Sequence, residues 1–136
     1  MPMNIEIVQP DGWKKPKGYA NGVVLSGASK LVFVAGQIAW DAEQKIVGRG
    51  DFGAQFEQAL RNVVAVLQAA HAKPEHIVRF TVYVTDKQMY AGHAKKIGVI
   101  WKDLVGRHYP AMTLVEVADL LEEGALLELE ATAAIP

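Results

Sequence analysis

The run Ile77–Val84 (IVRFTVYV), β-branched and aromatic, lies between two stretches of helical period, and this constrains the fold more than any other feature. Before it, Phe52, Phe56, Ala59, Leu60, Val63, Leu67 and Ala70 recur at three- and four-residue steps and predict a helix over Phe52–Ala72. Asp51 can accept the unpaired N–H groups of that helix's first turn, and Pro74 limits its far end. After the run, Ala94, Ile97, Ile100, Trp101 and Leu104 make a second stripe and predict a helix over Tyr90–Val105, with Gly106 at the C-terminal cap. A strand flanked by helices belongs to crossover units between parallel strands, which are right-handed as a strong rule. Both helices then cover one face of a mixed sheet, an α+β sandwich.

The other strands read as Asn4–Val8, Val23–Leu25, Leu31–Ala39, Met112–Ala118 and Ala125–Ala133. The turn Ser26-Gly27-Ala28-Ser29 is expected to join the second and third as an antiparallel hairpin. Asp11–Gly18, with Gly12, Pro16 and Gly18, is loop chemistry. The order is β-β-β-α-β-α-β-β in a six-stranded sheet, and 136 residues without an internal linker are expected to form a single domain over 1–136.

Charge and composition narrow the function. Fourteen Lys+Arg against 15 Asp+Glu leave a net charge of −1, which supplies no basic excess for a dedicated nucleic-acid binder. Cysteine is absent, so disulfides, thiolate zinc sites, iron–sulfur clusters and a cysteine nucleophile are excluded. Met1–Trp13 lacks the apolar core of a signal peptide, and no apolar run approaches the ~18 residues that span a bilayer. A cytoplasmic protein with no membrane partner is expected.

Side-chain alternation raises the question of what covers the second sheet face. Val78, Phe80, Val82 and Val84 are expected under the helices, with Ile77, Arg79, Thr81 and Tyr83 opposite. Met112, Leu114 and Glu116 are expected on that opposite face together with Glu128 and Glu130. The third strand is apolar on both sides. An interface between copies of the chain accounts for such a face; a mildly apolar solvent face is the alternative.

Few motifs carry chemistry. Gly48-Arg49-Gly50-Asp51-Phe52-Gly53 spells a dinucleotide fingerprint, but Trp40–Val47 separates it from the preceding strand, so helix-start glycines are expected instead. The histidines, His71, His76, His93 and His108, have no metal-ligand spacing, and no cofactor or metal is expected. Glu128 and Glu130 share a strand face; paired carboxylates serve acid–base chemistry, and equally form structural ion pairs, here with Arg79.

Several stretches together resemble the Rid family, also called the YjgF or L-PSP endoribonuclease family. They are Phe33-Val34-Ala35-Gly36-Gln37-Ile38, Gly50-Asp51 with Gln55 and Asn62, Pro110-Ala111-Met112-Thr113-Leu114-Val115-Glu116-Val117, and Leu127-Glu128-Leu129-Glu130-Ala131. The resemblance covers about Gly18 to Ala133. It implies a chorismate-mutase-like α+β fold, a homotrimer with ligand clefts between subunits, and hydrolysis of reactive enamines or imines to 2-keto acids and ammonia. Residue by residue, it makes Glu128 the catalytic carboxylate and places Tyr19 and Ala35 in the substrate cleft.

One departure matters. The family's Pro-Ala-Arg motif holds the substrate carboxylate with its arginine, and this chain has Met112 there. A thioether cannot pair with a carboxylate. Lys95, Arg107 and Arg79 are the candidate replacement cations. The resulting expectation is a deaminase-type hydrolase of altered substrate; the alternative is a non-catalytic trimer that binds a metabolite or protein. Ribonuclease activity is disfavoured by the absent basic face.

Overall fold

The computed structural model describes residues 2–136. Its strands are β1 (Asn4–Val8), β2 (Gly22–Ser26), β3 (Lys30–Gln37), β4 (Ile77–Val84), β5 (Ala111–Glu116) and β6 (Leu127–Ile135). Its helices are α1 (Phe52–Ala69), α2 (Lys87–Gly92) and α3 (Ala94–Leu104), with a 3-10 turn at Pro74–His76. The Asp51 carboxylate accepts from the Ala54 N–H and starts α1. Gly48 and Gly50 both have φ of +74°, so these glycines set up the turn into the helix, as expected.

The expected six-stranded sheet is instead two sheets. β1 and β2 form an antiparallel pair, and the main sheet runs β3-β6-β4-β5. The expected hairpin between the second and third strands does not form. β3, eight residues long, pairs antiparallel with the nine-residue β6, whereas the five-residue β2 pairs along its whole length with β1. Gly27 takes the chain from one sheet to the other at φ +72°, with the Pro2 carbonyl so close that a Cβ would collide with it. β6 lies antiparallel between β3 and β4, so β3 and β4 run the same way, and β5 is parallel to β4. Each helical crossover thus joins parallel strands.

The helices cover one face of the main sheet. Phe52, Phe56, Leu60, Val63 and Leu67 of α1 and Ile97, Ile100 and Trp101 of α3 pack with Val34, Phe80, Val82, Val84, Leu127 and Leu129 in one core. The second predicted helix is broken at His93, which ends α2 and begins α3. β4 carries a register shift between Ile77 and Arg79 that turns Ile77 into the core and leaves Val78 half-buried, reversing the expectation for these two residues. Among the described residues, no helix covers the opposite face, where Phe33 is 74% and Leu31 51% exposed.

Candidate functional site

The sheet edge at β5 opens into a cavity of about 500 Å³ on the helix side. Backbone pairing builds one wall. The Ala20 N–H donates to the Pro110 carbonyl at 2.9 Å, and Ala20 bridges Ala111 in parallel register. That bridge lays Tyr19 beside the start of β5, after a turn at Gly18 with φ +77°. Met112 pairs with Phe80 across β4–β5 and therefore faces the helices. Tyr19 and Met112 both line the cavity, with Phe56, Tyr90, Trp101 and Tyr109. The Trp101 indole N–H donates to the His108 carbonyl at 3.0 Å, which leaves the ring's hydrocarbon for packing. Burial raises the Tyr90 hydroxyl above the ordinary tyrosine range.

Glu128 stands elsewhere. It pairs with Tyr83 across β6–β4, on the face away from the helices. The β3–β6 register shifts between Val34 and Gln37, so Ala35 and Gly36 lie in an irregular stretch of the edge strand. The Glu128 side chain runs directly over Gly36: a Cβ on Gly36 would collide with the carboxylate oxygen. The glycine is thus required by close approach of the carboxylate, while its neighbour Ala35 lines a groove with Arg79 and Glu130. The sequence quoted Ala35-Gly36-Gln37 without revealing this irregularity, because two apolar faces hide a slip in alternation.

Further along the same face, Tyr83 Oη donates to Glu130 Oε1 at 2.6 Å. That hydrogen bond, with lesser contributions from burial and the charges of Glu130 and Glu128, raises the Tyr83 hydroxyl above its ordinary value of 10.0, opposed by Arg79. Arg79 and Glu130 line a shallow groove with Phe33 and Thr81. Arg79 and Glu130 form no ion pair within 4.0 Å, so the expected structural pair is absent among the described residues.

The structure brings Tyr19 to Met112, and Glu128 to Gly36 next to Ala35, but within one chain it places Met112 and Glu128 on opposite faces. This corrects the expectation that they share one. Met112 and Leu114 pair with Phe80 and Val82, both core residues, whereas Thr113 and Val115 pair with Thr81 and Tyr83. Glu116, expected on the open face, instead accepts the Lys87 N–H at the start of α2 at 2.9 Å. Of the proposed replacement cations, Lys95 and Arg107 are exposed and do not line the cavity, and Arg79 lines the opposite groove. The cation at the cavity rim is Lys17, which sequence reading passed over because it sat in a loop of lysines.

The histidines that bond do so to backbone. His108 Nε2 pairs with the Ile77 carbonyl at 2.5 Å, His93 Nδ1 with the Met89 carbonyl at 2.7 Å, and His76 Nδ1 accepts from Lys73 N–H at 3.0 Å. Among the described residues, no group of three or more His, Asp or Glu side chains is placed to hold a metal ion. No helix among the described residues is long and apolar enough to cross a membrane.

Known proteins share this fold over nearly the whole chain. Residues 14–135 match the family described as Endoribonuclease L-PSP. The chain belongs to the Rid family. It is 33% identical over 135 residues to a RutC family protein of Synechocystis, covering 98% of this chain and 99% of that one. It is 34% identical over 118 residues to the 2-iminobutanoate/2-iminopropanoate deaminase of Salmonella typhimurium, covering 85% of each. Among solved structures, the Rid family protein YyfB of Yersinia pestis superposes with a TM-score of 0.83 at 30% identity, over 97% of this chain and 99% of that one. The Escherichia coli YjgF gene product gives a TM-score of 0.68 at 31% identity, covering 85% of this chain and 87% of its own.

Proposed function

We propose that this Rid family member is a homotrimeric hydrolase of small enamines or imines, with each site shared between two copies. One copy contributes the cavity of Tyr19 and Met112; the next contributes Ala35 and Glu128. The observation that carries this reading is the placement of Glu128 over Gly36 on an uncovered sheet face. A carboxylate held there by a glycine-dependent close approach has a chemical use only if something closes over it. The apolar Phe33 and Leu31 on the same face favour a second copy of the chain as that cover.

The chemistry is hydration of a C=N bond. Glu128 takes a proton from water as the water oxygen bonds to the imine carbon, and the proton is returned to nitrogen. Glu128 then takes the hydroxyl proton of the carbinolamine and passes it to the amino nitrogen; the C–N bond breaks as the carbonyl forms, and ammonia leaves. General acid–base catalysis of this kind contributes about 10²–10⁴-fold. Met112, at the position of the family's arginine, offers no partner for a carboxylate. The substrate therefore differs from the 2-imino acids named for the Salmonella relative.

The test is ammonia release from a panel of imines with and without a carboxylate, together with the mass in solution. Glu128→Gln keeps shape and hydrogen bonding, so turnover is expected to fall by about 10²–10⁴-fold with a mass of three chains unchanged. Undiminished turnover in that variant would remove Glu128 from the mechanism. Ligand binding without ammonia release across the whole panel would favour a non-catalytic binding trimer, which the lack of any acid in the cavity itself also fits.

A further inference from the structure

Gly98 sits in the middle of α3, where glycine costs ~0.5–1 kcal/mol relative to alanine. Two physical reasons ordinarily retain a helix-interior glycine, and neither applies. Its φ is not positive, and a Cβ built on it meets nothing within 4 Å. Gly53 in α1 makes the contrast: a Cβ there meets the Lys96 side chain at 2.8 Å. What lies in front of Gly98 is the cavity between α3 and β5, which Ala94, one turn earlier, also lines. Two small residues on one face of the helix leave open space that larger side chains would fill.

The lining states what that space accepts. Phe56, Tyr90, Trp101 and Tyr109 supply ring surface, and Met112 supplies a soft, adaptable contact. Among the described residues, no carboxylate and no guanidinium lines the cavity. Lys17 is the one charged lining residue, and it is exposed at the rim. Inside the cavity no carboxylate is present to pair with a cation and no guanidinium to pair with an anion, and solvent screens the ammonium group at the mouth toward either charge. Among the described residues, Tyr83 is the tyrosine whose hydroxyl finds a protein partner, so the hydroxyls of Tyr90 and Tyr109 are available to a polar atom on a ligand. At about 500 Å³ the cavity is within the ~300–1,000 Å³ of small-molecule sites.

We propose that the cavity between α3 and β5 binds an uncharged, flat ring on the substrate, and that Gly98 and Ala94 determine the size of ring it admits. This rests on the reading of the cavity as the substrate end of a hydrolytic site, and it names the substrate class: imines or enamines carrying a neutral ring rather than a carboxylate. Tyr19 and Met112 close the β5 side, and the small residues of α3 leave room opposite them. Gly98 acts as a specificity-determining residue and takes no part in the chemical step.

Binding, read separately from turnover, tests this. The purified full chain is titrated with indole, with 2-oxobutanoate and with benzylamine at neutral pH, where the three are neutral, anionic and cationic. Amide and indole N–H NMR shifts are followed, and molecular mass is measured in parallel. Indole is expected to bind and to shift signals from α3 and Trp101, with the two ions at least about tenfold weaker, a difference of ~1.4 kcal/mol. Gly98→Leu, which projects into open space and removes the helix cost of glycine, is expected to weaken indole at least about tenfold with mass unchanged. Ala94→Leu provides the same readout should Gly98→Leu fail to fold. Preferential binding of 2-oxobutanoate or benzylamine overturns the neutral-ring assignment. Retained indole affinity in both leucine variants overturns the role of the small residues. A changed mass in Gly98→Leu assigns the glycine to a subunit contact and overturns it too. If indole binds but no ring-bearing imine releases ammonia, the hydrolytic reading fails while the binding assignment stands.

Discussion

Replacing Gln55 with leucine is expected to lower the thermal midpoint by about 12 °C, as follows from its hydrogen bonds. Gln55 is 0% exposed, inside α1. Its Nε2 donates to the Gly48 carbonyl at 3.2 Å and to the Gly124 carbonyl at 3.0 Å, and its Oε1 accepts from the Leu126 N–H at 2.9 Å. One side chain thus ties the turn before α1 to the turn that leads into β6 and Glu128. Leucine would make none of these bonds. The Gly48 carbonyl would keep its bond from the Asp51 N–H, but the Gly124 carbonyl and Leu126 N–H would lose the Gln55 partner. Two such part-buried groups cost about 2 kcal/mol each, and the added apolar burial of leucine returns about 1 kcal/mol. The net of about 3 kcal/mol, at about 4 °C per kcal/mol for a chain of this length, gives the stated shift. Circular-dichroism melts measure it, and amide exchange at Leu126 reports the loosened entry to β6. A shift under about 3 °C would refute the reasoning, since it would mean that water replaces the lost bonds at little cost.

Two further outcomes are expected. Met112→Arg places a guanidinium beside Tyr19, so it should raise ammonia release from 2-iminobutanoate at least about tenfold and weaken indole binding; wild-type turnover already equal to the variant's would show that another cation holds the carboxylate. The raised Tyr83 hydroxyl gives a pH dependence: the folded chain keeps this proton above pH 10.0 while the unfolded chain releases it. Its contribution is therefore whole below the unfolded value and is lost as pH rises through the folded one. Urea melts across the alkaline range should show a shallower decline in Tyr83→Phe than in the wild type, and identical profiles would count against the Glu130 bond as the cause.

Local chemistry wrote much of this protein into its sequence. The period of Phe52, Phe56, Leu60, Val63 and Leu67 identifies α1 and its buried stripe, and Asp51 identifies its start, because helical period and capping are settled within a few residues. The family resemblance was also legible, and the structure supplies a physical reason for two residues that carry it. Gln55 ties two turns together, and Asn62 Nδ2 donates to the Ile38 and Trp40 carbonyls at 3.0 and 2.9 Å, fastening the chain after β3 to α1. Strand partners and strand phase were not legible. A five-residue β2 can pair with either neighbour; it pairs with β1 along its whole length, and among the described residues the outer side of β3 carries no strand. The β5 sequence Ala-Met-Thr-Leu-Val-Glu is nearly as apolar on one face as on the other, so alternation gave it no phase. Only pairing with β4 turned Met112 toward the helices and away from the face of Glu128. A shift of one residue exchanges the faces of every side chain on a strand, and the hydrogen bonds that choose between the two phases come from a partner distant in the chain.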